Sequence, residues 1–326
     1  MSAVKLYVNM CRTRYVSSIC FFVLAIMFSQ NAKGQCCSGG VPMSGNLGMP
    51  SADKNTVQLA VSHDFNRLTR FQTGRNELTS KEFSRETNSI LVEAGYSLSQ
   101  KWSVDVFLSW VRQKRDNRLA GVQQTTSGIG DATLLLKYRL LSSLNVGAGI
   151  KAPLGASDFT FTEGGIRSPL PLDLQPGSGA WDGVFWANYT TTLKFLRPST
   201  TFSTTTTFRL TGKNDEFFSS TYEVGNEFLI NTSVSDRFLL GTLIFDPSFG
   251  INYRRQGTDI SFEFENPNSG GDFVFINPGI AYQATPDLTF QVNSSIPVYQ
   301  QVGGTQVANS FRINTGVFYR FSIKKN

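Results

Sequence analysis

The chain has 326 residues, of which 17% are charged and 40% hydrophobic, with 29 glycines and a formal net charge of +6. Few charges beside abundant Gly, Thr and Phe argue against disorder and for β structure. Four basic residues, Lys5, Arg12, Arg14 and Lys33, precede Gln35 with no acid among them, leaving 26 basic against 24 acidic residues and excluding the basic stripe that a nucleic-acid surface requires.

Residues 1–34 read as a signal peptide. Lys5, Arg12 and Arg14 form a basic start, Val16 to Phe28 an apolar core, and Ala32-Lys33-Gly34 a small-x-small cleavage pattern. No later stretch reaches the ~18 uninterrupted apolar residues of a transmembrane helix. Export leaves Cys36 and Cys37, for which a disulfide is expected in an oxidising compartment. Two thiols without a Cys or His cluster do not make a metal site, and no metal or cofactor is expected. Gln35 to Asn55, rich in Gly, Ser and Pro, is irregular and is expected to fold into a barrel lumen as a plug.

From Thr56 the pattern changes to a period of two. Val57, Leu59, Val61 and Phe65 alternate with polar neighbours, and a polar stretch runs on to Glu86. Ile90 to Leu98 and Trp102 to Trp110 form the next two strands around the turn Ser99-Gln100-Lys101, followed by a polar loop from Gln113 to Ser127. Then Ala132, Leu134, Leu136, Tyr138 and Leu140 share one face and Asp131, Thr133, Leu135, Lys137 and Arg139 the other. After Leu141-Ser142-Ser143 the alternation resumes from Leu144 to Ala152. Leu154 to Ala180 is the longest connection. Strands follow at Trp181 to Leu193, Thr200 to Leu210 and Tyr222 to Ile230, then a turn at Ser235-Asp236-Arg237. A ninth strand within Phe238 to Arg254 is interrupted by Pro247. Val274 to Tyr282, Leu288 to Tyr299 and Phe311 to Phe321 complete about twelve.

The connections alternate long and short throughout. That rhythm predicts an all-β, antiparallel transmembrane β-barrel spanning residues 56–323, with short periplasmic turns, long extracellular loops and both termini periplasmic. Aromatics gather at both strand ends: Tyr96, Trp102, Tyr138, Phe238, Tyr282, Tyr319 and Phe321 near the short turns, and Phe65, Trp110, Trp181, Phe208, Tyr222, Tyr299 and Phe311 near the long loops. Two interfacial belts in outer-membrane lipid and lipopolysaccharide would need such a placement.

The faces opposite the apolar ones carry Glu93, Asp105, Asp131, Asp182, Glu223 and Glu227 against Lys137, Arg139, Lys151, Arg209, Arg312 and Arg320. These signs balance, so a lumen with paired charges and little net ion preference is expected. The lone histidine, His63, precedes Asp64 on a strand and must face away from it, so the two cannot form a catalytic dyad and no enzyme is expected.

GIGDATLLLKYRLL from Gly128, LNVGAGIKAPLG, LQPGSGAWDG from Leu174, IPVYQQVGGTQV from Ile296 and FRINTGVFYRF resemble the outer-membrane transporter-like family labelled a meta-pathway of phenol degradation, itself similar to long-chain fatty acid channels. The resemblance covers about Gly128 to Phe321 and implies a barrel that passes small, often hydrophobic compounds, with no catalytic residues. The chain departs from it by ending in Ser322-Ile323-Lys324-Lys325-Asn326 and not at a terminal aromatic. The expected function is passage of small solutes, hydrophobic or aromatic ones included, through a polar lumen. The alternative is a non-conducting structural or adhesive barrel acting through Leu154 to Ala180. Nothing in the residues sets the oligomeric state.

Overall fold

The computed structural model describes residues 53–79, 83–117, 121–163, 165–218 and 220–323. The signal segment, Cys36, Cys37 and all of the proposed plug except Asp53 to Asn55 lie outside them. The described chain forms a closed antiparallel barrel of twelve strands. These are β1 (Thr56–Thr73), β2 (Phe83–Ser97), β3 (Trp102–Asn117), β4 (Val122–Ile129 continued by Ala132–Arg139), β5 (Leu144–Ala152), β6 (Asp182–Thr192), β7 (Thr201–Leu210), β8 (Glu227–Ser235), β9 (Leu243–Gln256), β10 (Gly271–Gln283), β11 (Leu288–Val302) and β12 (Thr305–Ser322). Each strand pairs with its neighbours in sequence, and β12 returns to β1 from Thr56↔Ser322 to Thr73↔Thr305, so no edge is left for lipid to face.

The outer face is apolar because every second residue is: Leu59, Val61, Ile90, Val92, Leu134 and Ile150 are all exposed. His63 shares this outward face and Asp64 is buried on the inner one. The aromatics pair across strands at the rims, Trp102 with Tyr138 at 4.7 Å and Phe245 with Tyr282 at 5.3 Å between ring centroids. Tyr222 is the exception to the belt. It lies in a four-stranded sheet at the long-loop end, built from Lys213–Phe217, Ser220–Glu223, Ile260–Ser261 and Phe264–Glu265.

Three expectations about strand limits are corrected. The polar stretches after Phe65 and after Gln113 are strand and not loop: β1 runs to Thr73, β3 to Asn117, and β4 begins at Val122. Beyond the lipid boundary the outer face of a strand meets water and need not be apolar, so the alternating signal fades while the ladder of hydrogen bonds continues. The eighth strand starts at Glu227 and not at Tyr222. Its turn lies at Gly241-Thr242 and not at Ser235-Asp236-Arg237, since Leu240 opposes Leu243 in the register that pairs Ser235 with Ser248. Gly241, at φ +63°, supplies the left-handed first position of that two-residue loop. Pro247 can donate no ladder bond, and Arg237 instead grips Asp246 with two bonds of 2.9 and 2.8 Å, which is why a polar dipeptide inside a hairpin resembles its turn.

Between Trp110↔Ile129 and Phe107↔Thr133, two residues of β3 face three of β4, which makes a β-bulge at Gly130-Asp131. Both bulge residues are buried, and the bulge turns the Asp131 carboxylate inward at the long-loop end.

Candidate functional site: the barrel interior

Of the twelve charges read as inward, Glu93, Asp105, Asp131, Lys137, Lys151, Asp182, Arg209 and Glu227 are buried. Lys137 pairs with Asp105, and its ammonium lies 5.6 Å from the Trp186 ring centroid. Lys151 bridges Asp131 at 2.6 Å and Asp182 at 3.0 Å. Glu227 holds Arg209 at 3.2 Å and also pairs with Arg254. Arg312 reaches Asp64 at 2.7 Å. These pairs come from neighbouring strands, because the register brings residues far apart in sequence to one height on the inner wall. Pairing and hydrogen bonding make such burial tolerable. Arg139 is half-buried at the short-turn end of β4, and Arg320 is exposed there and donates to the Pro286 carbonyl at 3.1 Å. Glu223 does not belong to the wall. It sits in the four-stranded sheet opposite Lys213, because the strand that would have turned it inward begins four residues later.

The largest feature missed by periodicity is the second half of the longest connection. Leu170 and every residue from Leu172 to Ser178 are buried, with a 3-10 turn at Leu172–Leu174. This segment lies against the inner wall of β2, β3 and β4. Arg85 of β2 binds the Asp173 carboxylate at 2.8 Å and also donates to the Asp173 carbonyl. Gln113 of β3 donates to the Gln175 carbonyl at 3.1 Å, and Thr126 of β4 to the Leu174 carbonyl. At the bulge, Asp131 accepts from the Ser178 amide at 3.0 Å, the Ser178 hydroxyl at 2.7 Å and the Gly155 amide at 3.2 Å. It thereby clasps both arms of the connection. Gly177 lies directly on Gly155, and a Cβ there would overlap the Gly155 backbone. Above the segment, Leu172 packs with Phe217 and Val224 beneath the four-stranded sheet. Leu154 to Ala180 is therefore not wholly the displayed extracellular loop that was expected.

Burial pushes the Asp173 carboxyl up to about 6, against the opposing pull of Arg85 and Arg115. In the overlying loop Asp259 is also raised by burial, while accepting from the Tyr222 hydroxyl at 2.7 Å and the Gly225 amide at 2.8 Å.

Further apolar side chains fill the interior: Phe107, Leu135 and Trp186 near mid-barrel, and Leu68, Phe71, Phe83 and Val307 towards the long-loop end. The short-turn half differs. It holds a cavity of about 560 Å³ lined by amides and hydroxyls, among them Gln58, Asn188, Thr205, Thr289 and Gln291, with Arg237, Asp287 and Arg320 at its mouth. The interior is thus a polar vestibule on one side and a packed constriction on the other. Among the described residues no group of three or more His, Cys, Asp or Glu side chains could hold a metal ion.

A family model described as the MetA-pathway of phenol degradation matches residues 82–321. The chain belongs to this family. No curated protein matches it. Among solved structures, an outer membrane channel of Pseudomonas putida F1 is similar at 17% identity and a TM-score of 0.65, covering 84% of this chain and 97% of the other. A FadL homologue of Pseudomonas aeruginosa aligns at 9% identity over 88% of this chain and 98% of the other, with a TM-score of 0.43. The toluene transporter TbuX of Ralstonia pickettii aligns at 8% identity over 84% and 90%, with a TM-score of 0.39. This member of the phenol-degradation family has the fold of outer-membrane β-barrels, with the closed twelve-strand antiparallel sheet that its sequence predicts.

Proposed function

We propose that the barrel is an outer-membrane channel for small molecules whose passage is controlled by the infolded segment Leu170–Ala180. The observation that carries this reading is the asymmetry of the interior. A vestibule of about 560 Å³, within the range that small ligands occupy, leads towards a constriction packed from wall side chains and from the infolded loop. The loop is held by side-chain bonds to Arg85, Gln113, Thr126 and Asp131, and such bonds can be exchanged for water without opening the barrel. The family description supports small aromatic cargo of the phenol type, and the lining of the vestibule supports polar contacts along the way. β1 begins at the short-turn end, and a second restriction there by Gln35 to Asn55 belongs to the same proposal.

The test is a planar-bilayer recording of the full chain beside a variant in which Leu170–Ala180 is replaced by a Gly-Ser linker. Discrete channels that widen in the variant support the proposal. Absence of channels and of solute leakage from both would favour a structural or adhesive barrel. The role is transport and not catalysis, so His63→Ala leaves the recordings unchanged.

A further inference from the structure

The inner wall carries a second pattern besides its charges. Across β5 to β9, one uncharged hydrogen-bonding residue per strand stands directly opposite the next: Asn145↔Asn188, Asn188↔Thr205, Thr205↔Asn231 and Asn231↔Asn252. That makes four carboxamides and a hydroxyl in one unbroken row. Directly opposed residues lie about 5 Å apart. Because barrel strands tilt, a row perpendicular to them climbs along the barrel. Here it starts at the second residue of β5, beside its short turn, and ends at the tenth of β9. Asn188 and Thr205 line the vestibule, and Asn252 is buried one inward position below Arg254.

The bonds of Asn188, on the vestibule wall, are neutral and exchangeable. The Asn188 amide donates to the Thr205 hydroxyl at 3.0 Å and the Ser203 hydroxyl at 3.2 Å, and its carbonyl accepts from Thr190 at 3.1 Å. A carboxamide both donates and accepts, so a solute hydroxyl can replace each of these bonds with one of like kind. Ions find no such exchange. The nearby charges are committed to one another, Lys151 to Asp131 and Asp182, and Glu227 to Arg209 and Arg254. An ion on the row would lose water and gain no counter-charge.

We propose that this row is the solute track of the channel and that it selects uncharged solutes bearing several hydroxyl groups over ions of the same size. The inference rests on the channel reading above and names its substrate class.

Liposome swelling with the full chain compares ribitol with ribonate, which have the same carbon number and differ in charge, while KCl current is recorded from the same preparation. Ribitol is expected to enter about 10-fold faster. Thr205→Val alone, and Asn231→Leu with Asn252→Leu, are each expected to slow ribitol about 5- to 10-fold, the loss of one or two exchangeable hydrogen bonds, and to leave ribonate unchanged. Heat-shifted mobility on a detergent gel verifies that each variant is folded. Equal entry of ribitol and ribonate overturns the track, as does an unchanged ribitol rate in both folded variants. KCl current without ribitol entry also overturns the track and leaves the channel standing. No current and no entry overturns both.

Discussion

Asp131→Ala tests how the infolded segment is held. The carboxylate is fully buried and accepts from the Ser178 amide and hydroxyl and the Gly155 amide, as well as from Lys151. Hydrogen bonds to a charged group contribute about 1.5–3 kcal/mol each, and removing one partner of a buried pair costs about 3–5 kcal/mol. Lys151 keeps Asp182 at 3.0 Å, so the wall pair survives and most of the loss falls on the docked loop. A loosening of about 3–5 kcal/mol shifts the docked-to-released ratio by about two to nearly four orders of magnitude. Two assays report this: limited proteolysis within residues 153–181 of the folded barrel, and single-channel current. Both cleavage rate and mean conductance should rise. If the variant shifts normally on a detergent gel but is cleaved and conducts like the parent, the Asp131 clasp does not hold the segment.

Other outcomes follow from the same geometry. Asp173, raised to about 6 when docked, binds a proton more tightly there than in a released loop near the usual 3.8, so docking gains stability as pH falls through about 6 and the gain is complete below about 4. Conductance should therefore fall between pH 7 and pH 5, and Asp173→Asn should remove that dependence; a parent current flat across this window contradicts the assignment. Gly177→Val, which forces the segment off the Gly155 backbone, should raise conductance with little change in barrel stability, since the clash is with loop and not wall; equal conductance would show that the contact is dispensable. Deleting Ser38 to Ala52 should raise conductance if the N-terminal segment restricts the vestibule, and an unchanged current from folded protein would remove that part of the proposal.

Much of the wall was legible because lipid and lumen impose opposite chemistry on alternate residues. Leu134 and Leu136 differ from Thr133 and Lys137 for that reason, and the long-short rhythm of connections follows from the two sides of the membrane. The same alternation puts eight of the twelve charges at buried positions, whereas Arg320 is exposed at the short-turn end and Glu223 lies outside the wall. The partners of the buried charges were legible only in part: a shared inner face leads the hairpin's cations to inward acids such as Asp131, whereas the bridge from Lys151 on to Asp182 depends on the register of three strands, which no local pattern encodes. The ends of β1 and β3 escaped because their outer faces lie beyond the lipid and need not be apolar. The infolded segment escaped because its burial depends on wall residues from three strands. Its one local sign is a run of leucines, Leu170, Leu172 and Leu174, in a connection otherwise rich in Pro and Gly. The carboxamide row left a trace in the inward asparagines, which a search confined to charged residues passes over.

The central claim is that the infolded loop restricts the passage through this barrel. Single-channel recording of the parent and of the chain with Leu170–Ala180 replaced by a Gly-Ser linker measures it most directly. The account predicts small, discrete currents from the parent and a several-fold larger unitary conductance from the replacement. The same unitary conductance in both would contradict it.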